Sequence, residues 1–318
     1  MAFNQAKWIW LDGRMVPWTE ATFHISAHAL HYGSGVFEGI RCYRTDEGPA
    51  LFQAGPHLDR LRASAEIYGL TIDFDNIQLL QAICDVIRKN DLTSCYVRPI
   101  VFFGSGGMFI DPRTCPTHVG ILAFPWEKPL GEQKCDTGLR ITISPWVKFH
   151  SKMIPTTAKG CGQYLNSVLA IRDAARRGYD EALLLDANGN ISEGSAENIF
   201  IVRDGQLLTN DEQDSILPGV TRDAVIKMAQ GLGIPLKITR LHVEDLLAAS
   251  EAFMTGTGVE IVPVSEVDGM RIGSVVPGPI TAKVQQIFTA ITSNTNPAYR
   301  EWLHFVESTQ SMRMSSVY

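Results

Sequence analysis

Lys159 lies in the run Ile154-Pro-Thr-Thr-Ala-Lys159-Gly-Cys-Gly-Gln-Tyr164, among small neutral residues, with no acidic residue for many positions on either side. A lysine that loses water without gaining a carboxylate has its charged form disfavoured and becomes a neutral, nucleophilic amine. Such an amine attacks carbonyl carbon. About thirty residues on, Ile191-Ser-Glu193-Gly-Ser-Ala-Glu197-Asn198-Ile-Phe200 places a carboxylate in what reads as a small-residue turn. That carboxylate could face the N–H of a pyridinium ring. Two further stretches suit a phosphate. Gly219-Val-Thr221-Arg222 opens a predicted helix whose free N–H groups attract anions, and Thr255-Gly-Thr257-Gly258 offers hydroxyls in a predicted tight turn. Each feature alone has an ordinary explanation, a loop lysine or a helix cap. Together, a carbonyl-reactive lysine, a ring partner and two anion anchors describe one cofactor, pyridoxal 5'-phosphate.

Other groupings carry less. His24, His28 and His31 share a spacing that would put them on one helical face, but Gly33 and Gly35 follow at once and no carboxylate joins them, so no metal site is expected. Gly33-Ser-Gly35-Val-Phe-Glu-Gly39 has dinucleotide-loop spacing in the wrong context, since a strand follows it rather than a helix. Gly104-Ser-Gly106-Gly107 reads as a loop after a strand. Cys161, two residues from Lys159, reads as a small packing residue rather than a nucleophile.

The elements that must position these groups mix strands and helices without βαβα alternation, which argues for two α+β domains. Asp12-Gly13 marks a hairpin between Trp8-Ile-Trp10 and Met15-Val-Pro-Trp18, and a strand is expected through Val36–Tyr43. A helix is expected from Pro56, and another over 74–89, with apolar Ile77, Leu80, Ile83, Val86 and Ile87. Strands are expected over Cys95–Phe103, Val119–Phe124 and Leu139–Ser144, and helices over Gln163–Arg177, Thr221–Gln230, 279–292 and 297–306. The boundaries read as a small N-terminal α+β domain (1–126), a linker (127–137), a larger C-terminal cofactor-binding domain (138–307) and a disordered tail (308–318), with the active site at the domain interface.

The chain has 318 residues, 45% hydrophobic and 19% charged, with a net charge of −6. No basic block suggests nucleic acid or a membrane surface, and no apolar run approaches a membrane span. The N-terminus reads as neither signal nor transit peptide. The six cysteines (Cys42, Cys84, Cys95, Cys115, Cys135 and Cys161) form no regular framework, so reduced thiols and a cytoplasmic location are expected.

The chain resembles the branched-chain amino-acid aminotransferases, class IV pyridoxal-phosphate-dependent enzymes of fold type IV, from Trp8 to about Trp302. The stretches that carry the resemblance are His28-Ala-Leu-His-Tyr32-Gly-Ser-Gly-Val-Phe37-Glu-Gly-Ile-Arg41, Tyr96-Val-Arg98-Pro, Ile154-Pro-Thr-Thr-Ala-Lys159, Ile191-Ser-Glu193-Gly-Ser-Ala-Glu-Asn198, Leu217-Pro-Gly-Val220-Thr221-Arg222 and Thr255-Gly-Thr257-Gly258-Val-Glu-Ile. The resemblance implies a two-domain, D-amino-acid-aminotransferase-like α+β fold. It also implies ping-pong transamination of leucine, isoleucine and valine with 2-oxoglutarate, giving branched 2-oxo acids and L-glutamate, in branched-chain amino-acid biosynthesis. Carried over by position, Lys159 would hold the cofactor as a Schiff base and move the proton. Glu193 would hold the ring N1–H, Tyr164 the ring hydroxylate, and Arg60, Val220, Thr221 and Thr257 the phosphate. Tyr96, with Thr257 and Gly258, would take the substrate α-carboxylate. Phe37, Tyr32 and Arg98 would line the side-chain pocket, with Tyr32 reaching in from the other subunit of a homodimer or higher oligomer. The family often has a tyrosine shortly after Phe124-Pro-Trp126; Pro129 stands there, without a side-chain donor for the distal carboxylate of glutamate. The same cofactor residues would also suit a D-amino-acid or (R)-amine transaminase, an aminodeoxychorismate lyase, or a non-catalytic binding module.

Overall fold

The computed structural model describes residues 6–126 and 132–306, which divide into two compact units: residues 6–126, 158–162 and 289–306, and residues 132–157 and 163–288. Pro129, the start of the expected linker and the expected tail lie outside the described residues. The remainder of that linker, Glu132–Thr137, is helical.

The first unit is built on an eight-stranded antiparallel sheet. Its spatial order is Leu303–Phe305, Gly48–Phe52, Ile40–Thr45, Cys95–Phe103, Thr117–Pro125, Trp8–Leu11 and Arg14–Pro17, and Gly35–Phe37 also pairs with Cys95–Phe103. The expected hairpin forms, with Leu11 opposite Arg14. Asp12 and Gly13 both have positive φ, 46° and 89°, the two-residue turn whose twist matches its strands. The single strand expected through Val36–Tyr43 is instead two, Gly35–Phe37 and Ile40–Thr45, in one register: Phe37 faces Ile100 and Ile40 faces Val97. Between them stands Pro99, which has no N–H to return to the ladder; its carbonyl accepts from the Glu38 N–H at 2.9 Å.

Two helices of this unit, Ala54–Ile67 and Asn76–Lys89, bury Leu58, Leu61, Leu79, Ile83 and Ile87 in one core with Ile40, Leu51, Val97 and Ile121. Each such side chain contributes about 1.5–3 kcal/mol relative to exposure. A reciprocal cap starts the second helix: Gln78 N–H donates to Asp75 at 2.8 Å and Asp75 N–H to Gln78 at 2.8 Å. Ile83, Val86 and Ile87 are buried as expected, whereas Ile77 is exposed and Leu80 half-buried, with Leu79 taking the place on the buried stripe.

The second unit carries a nine-stranded mixed sheet, ordered Ile191–Gly194, Glu181–Leu185, Leu139–Ile143, Glu260–Val267, Glu251–Gly256, Asn198–Arg203, Gln206–Thr209 and Leu236–Ile238, with Met270–Arg271 also on Glu260–Val267. Its helices include Tyr164–Arg176 and Val220–Gly231, close to expectation. The helix Pro279–Thr292 is capped from a distance: Glu251 accepts from Ile280 N–H at 3.0 Å and from Thr281 N–H at 2.7 Å. The helix expected over 297–306 is instead a 3-10 segment, Pro297–Trp302, followed by the strand Leu303–Phe305 against Gly48–Phe52. Leu303 is buried and His304 exposed, a two-residue alternation that suits a strand.

The expectation of an α+β fold with irregular alternation holds. Among the described residues, no helix is long and apolar enough to cross a membrane and no His, Cys, Asp and Glu cluster could hold a metal ion.

Candidate functional site

Lys159 belongs to the short segment that joins the first unit. Its carbonyl accepts from Phe37 N–H at 3.1 Å, its own N–H donates to Ser64 Oγ at 3.0 Å, and Gly162 N–H donates to Gly33 O at 3.1 Å. The adjoining Gly160 bridges Val36, and a Cβ there would meet the Tyr68 hydroxyl at 2.6 Å, so glycine permits the close approach. The Lys159 Nζ sits 5.3 Å from the Phe37 ring centroid. Desolvation, then the nearby Arg60 charge, push its pKa below the ordinary lysine value, with Glu38 opposing. The direction expected from sequence is met, but the uncharged setting is not. Arg60, Arg98 and Glu38 all act on Lys159 across the fold.

Phe37, Tyr96 and Arg98 gather beside it. Tyr96 and Arg98, two apart on one strand, share a face of the sheet. The Arg98 guanidinium carbon lies 4.6 Å from the Phe37 ring centroid and 5.3 Å from that of Tyr96. Its Nη2 reaches the Tyr96 hydroxyl only at 3.5 Å, and its buried Nε has no hydrogen-bond partner. Gly39 makes room for that phenol: a Cβ there would fall 1.7 Å from the Tyr96 oxygen. Tyr32 stands apart from this group. It is 45% exposed on the short helix His28–Tyr32 and donates to Met108 O at 3.0 Å. The neighbouring histidines are occupied separately, His28 by Ser34 and Phe109 O, His31 by Ile25 O, and His24 by Ser26. Burial pushes the Cys161 thiol up to about 11, which keeps it protonated at neutral pH and agrees with a packing role.

Arg60 is tied to a carboxylate that carried no role in the sequence reading. Its Nε donates to Glu38 Oε1 at 2.6 Å and its Nη2 to Oε2 at 3.0 Å, while His57 Nδ1 meets Oε2 at 2.7 Å. Glu38 is wholly buried, and Arg60 and His57 hold its carboxyl far below the usual range against the cost of burial. The sequence signal was an acid in the apolar strand run Val36-Phe-Glu38-Gly-Ile40, with His57 and Arg60 three apart on one helix face.

In the second unit, Glu193 lies on the strand Ile191–Gly194 rather than in the turn that follows: Ile191 pairs with Leu185 and Gly194 with Leu183, with a β-bulge between them. It is buried, paired with Lys148, and accepts on Oε2 from Leu217 N–H at 2.9 Å and Asn198 Nδ2 at 3.2 Å. Asn198 is the hub of this half. Its Nδ2 also donates to Leu217 O at 3.0 Å, its Oδ1 would lie 2.0 Å from a Cβ on Gly219, and its backbone faces Thr255 in the sheet. One amide therefore ties the carboxylate to the chain just before the helix start, and the same residue's backbone pairs with the strand that leads into the threonine turn. Lys148 and Asn198 had been given no role from sequence.

Gly219 caps the helix and, being glycine, lays no side chain of its own over the first N–H groups, at Val220, Thr221 and Arg222. Thr255 Oγ1 is buried without a partner, and Thr257 and Gly258 are half-buried in the turn after it. Tyr164 opens the helix Tyr164–Arg176. A glycine-capped helix start and an orphaned hydroxyl suit a phosphate, and a buried, ion-paired carboxylate suits a protonated ring nitrogen, so the second unit fits pyridoxal phosphate.

The family profile described as "Amino-transferase class IV" matches residues 35–267. The branched-chain-amino-acid aminotransferase of Salmonella typhimurium is 45% identical over 309 residues, 97% of this chain and 100% of that protein. A crystal structure of the Escherichia coli branched-chain amino acid aminotransferase superposes with a TM-score of 0.93 at 44% identity, covering 95% of this chain and 100% of that one. A second branched-chain amino acid aminotransferase, from T.th. and solved with pyridoxamine 5'-phosphate, gives 0.93 at 39% identity, covering 96% and 100%.

Proposed function

Because the chain belongs to the class IV aminotransferases, we propose that it uses pyridoxal phosphate to move the amino group of leucine, isoleucine or valine to 2-oxoglutarate. The observation that carries this reading is the desolvated Lys159 amine beside an aromatic pair, Phe37 and Tyr96, with one cation, Arg98, laid over both rings. The aromatic surface suits a branched aliphatic side chain, and the cation suits the second carboxylate of glutamate, so one set of residues serves both halves of a ping-pong exchange.

When bound, pyridoxal phosphate supplies an aldehyde and a pyridinium ring that takes up the electron pair left at the substrate Cα. Lys159 would hold the cofactor through its amine and would serve as the base toward the substrate Cα proton; desolvation, then Arg60, lower its pKa and so favour the free amine. Glu193 would keep a proton on the ring N1. Two donors already fill its Oε2, and Lys148 lies at Oε1. Arg60, Val220, Thr221 and Thr257 would hold the phosphate, and Tyr164 the ring hydroxylate. Tyr96, Thr257 and Gly258 take the substrate α-carboxylate, and Phe37, Tyr32 and Arg98 the side chain.

Tyr32 serves the partner subunit of a homodimer. Around it Ile25, Leu30, Met108, Phe109 and Ile110 are all exposed, an apolar patch fastened by the His31–Ile25, Tyr32–Met108 and His28–Phe109 hydrogen bonds. A cytoplasmic location belongs to the same reading.

The test is a visible spectrum of the purified, cofactor-loaded protein with and without L-leucine, followed by assay of glutamate made from 2-oxoglutarate. A spectral shift with leucine and glutamate formation are expected. Turnover confined to D-amino acids, or pyruvate release from aminodeoxychorismate, would assign a different activity.

A further inference from the structure

We propose that Glu38, steadied by His57, is the positioning residue that aims the Arg60 guanidinium at an anionic oxygen. The inference rests on the reading of Arg60 as a phosphate ligand and names what makes that ligand work. Two nitrogens of the Arg60 fork are taken by the two oxygens of one carboxylate, at 2.6 and 3.0 Å, which fixes the plane of the guanidinium as a single hydrogen bond would not. The carboxylate is itself fixed: His57 Nδ1 meets it at 2.7 Å, the Gly39 N–H at 3.2 Å, and its backbone lies in the sheet register between Phe37 and Ile40. Burial disfavours the charged imidazole of His57, which leaves it neutral with Nδ1–H donating to Glu38.

Stability alone is a poor reason for this arrangement. An ion pair that buries a carboxylate completely rarely outdoes apolar side chains of similar size, and Leu58 and Leu61 show that the same helix packs well with leucine. A second consequence follows from charge. Arg60 opposes a proton on Lys159 and Glu38 favours one, so the carboxylate offsets the cation that the phosphate site brings next to the reactive amine.

The experiment measures binding of pyridoxal phosphate and of pyridoxal, which lacks the phosphate, to the apoprotein, for wild type, Glu38→Gln, Arg60→Ala and the double variant. Loss of a charge-assisted contact corresponds to roughly ten- to a hundred-fold in affinity. Glu38→Gln is expected to weaken pyridoxal phosphate by that order and to leave pyridoxal within about two-fold, with no further loss when added to Arg60→Ala. Equal losses for both ligands, or additive losses in the double variant, would overturn the proposal by showing that Glu38 acts on folding rather than through Arg60. If Arg60→Ala leaves the ratio of the two affinities unchanged, the phosphate assignment of Arg60 fails, and this proposal with it. Should Glu38→Gln not fold, His57→Leu retains the carboxylate and removes one donor. A smaller loss specific to the phosphorylated ligand then supports the proposal, and an unchanged ratio refutes it.

Discussion

Replacing Arg98 with alanine separates the two substrate classes. Arg98 makes no ion pair among the described residues; its guanidinium lies over Phe37 and Tyr96, its contact with the Tyr96 hydroxyl is at the 3.5 Å limit, and its Nε is buried without a partner. Such a group is held in place by rings and has hydrogen-bonding capacity left for a ligand. Two contributions are lost on truncation. The stacking on the rings is worth about 0.5–1 kcal/mol, roughly two- to five-fold, and is lost for every substrate alike. The charge-assisted contact to a distal carboxylate is worth about 1.5–3 kcal/mol and is lost only for glutamate and 2-oxoglutarate. Arg98→Ala should therefore lower kcat/KM for the acidic pair by roughly ten- to a hundred-fold more than for leucine and its oxo acid. The assay is kcat/KM for both substrate classes in wild type, Arg98→Ala and Arg98→Lys, with the lysine variant recovering part of the acidic-substrate loss. Equal losses for leucine and glutamate would refute the reasoning and reduce Arg98 to packing.

Three other outcomes follow from the geometry. Gly39→Ala drives a methyl into the Tyr96 hydroxyl, so it should cost about 1–3 kcal/mol and raise KM for leucine; a thermal midpoint and KM equal to wild type would contradict the close approach. Glu193→Gln should slow Cα proton abstraction in stopped-flow half-reactions far more than it weakens cofactor binding, since an amide cannot sustain a proton on N1 while the phosphate anchors remain; an unchanged rate at saturating cofactor counts against it. Glu38 has a folded pKa well below its unfolded value of about 4.3, so its stabilising contribution is complete above that value and is lost as pH falls through the acid range beneath it. Glu38→Gln should remove that acid-dependent component and, by taking the carboxylate charge away from Arg60, cost about 3–5 kcal/mol at neutral pH; parallel acid-unfolding curves for the two proteins would exclude it.

The parts of the fold legible in the sequence were those set by local chemistry. Asp12-Gly13 dictates its own turn, and Asp75 with Gln78 its own helix start. What was not legible depended on residues distant in sequence. The break at Glu38-Gly39 is caused by Pro99 on the neighbouring strand. The strand Leu303–Phe305 exists because Gly48–Phe52 offers it an edge, which a helix reading of 297–306 could not foresee. The site shows the same division. Lys159, Glu193 and the Gly219 helix start stand out as candidates from their immediate neighbours, although the turn expected around Glu193 is a strand. Glu38, His57 and Lys148 could not, because each acquires its meaning from a partner at least nineteen residues away. The acid-free surroundings of Lys159 illustrate the hazard: no carboxylate is near it in sequence, yet Glu38 acts on it in the fold.

The central claim is that Lys159 carries the cofactor and yields it to an amino-acid substrate. Borohydride reduction of the cofactor-loaded protein, followed by digestion and mass mapping, tests this directly. The pyridoxyl mass is expected on the peptide containing Lys159, and is expected to vanish when the protein is first exhausted with L-leucine. Labelling of any other lysine, Lys148 beside Glu193 in particular, or labelling of Lys159 that leucine fails to remove, would contradict the account.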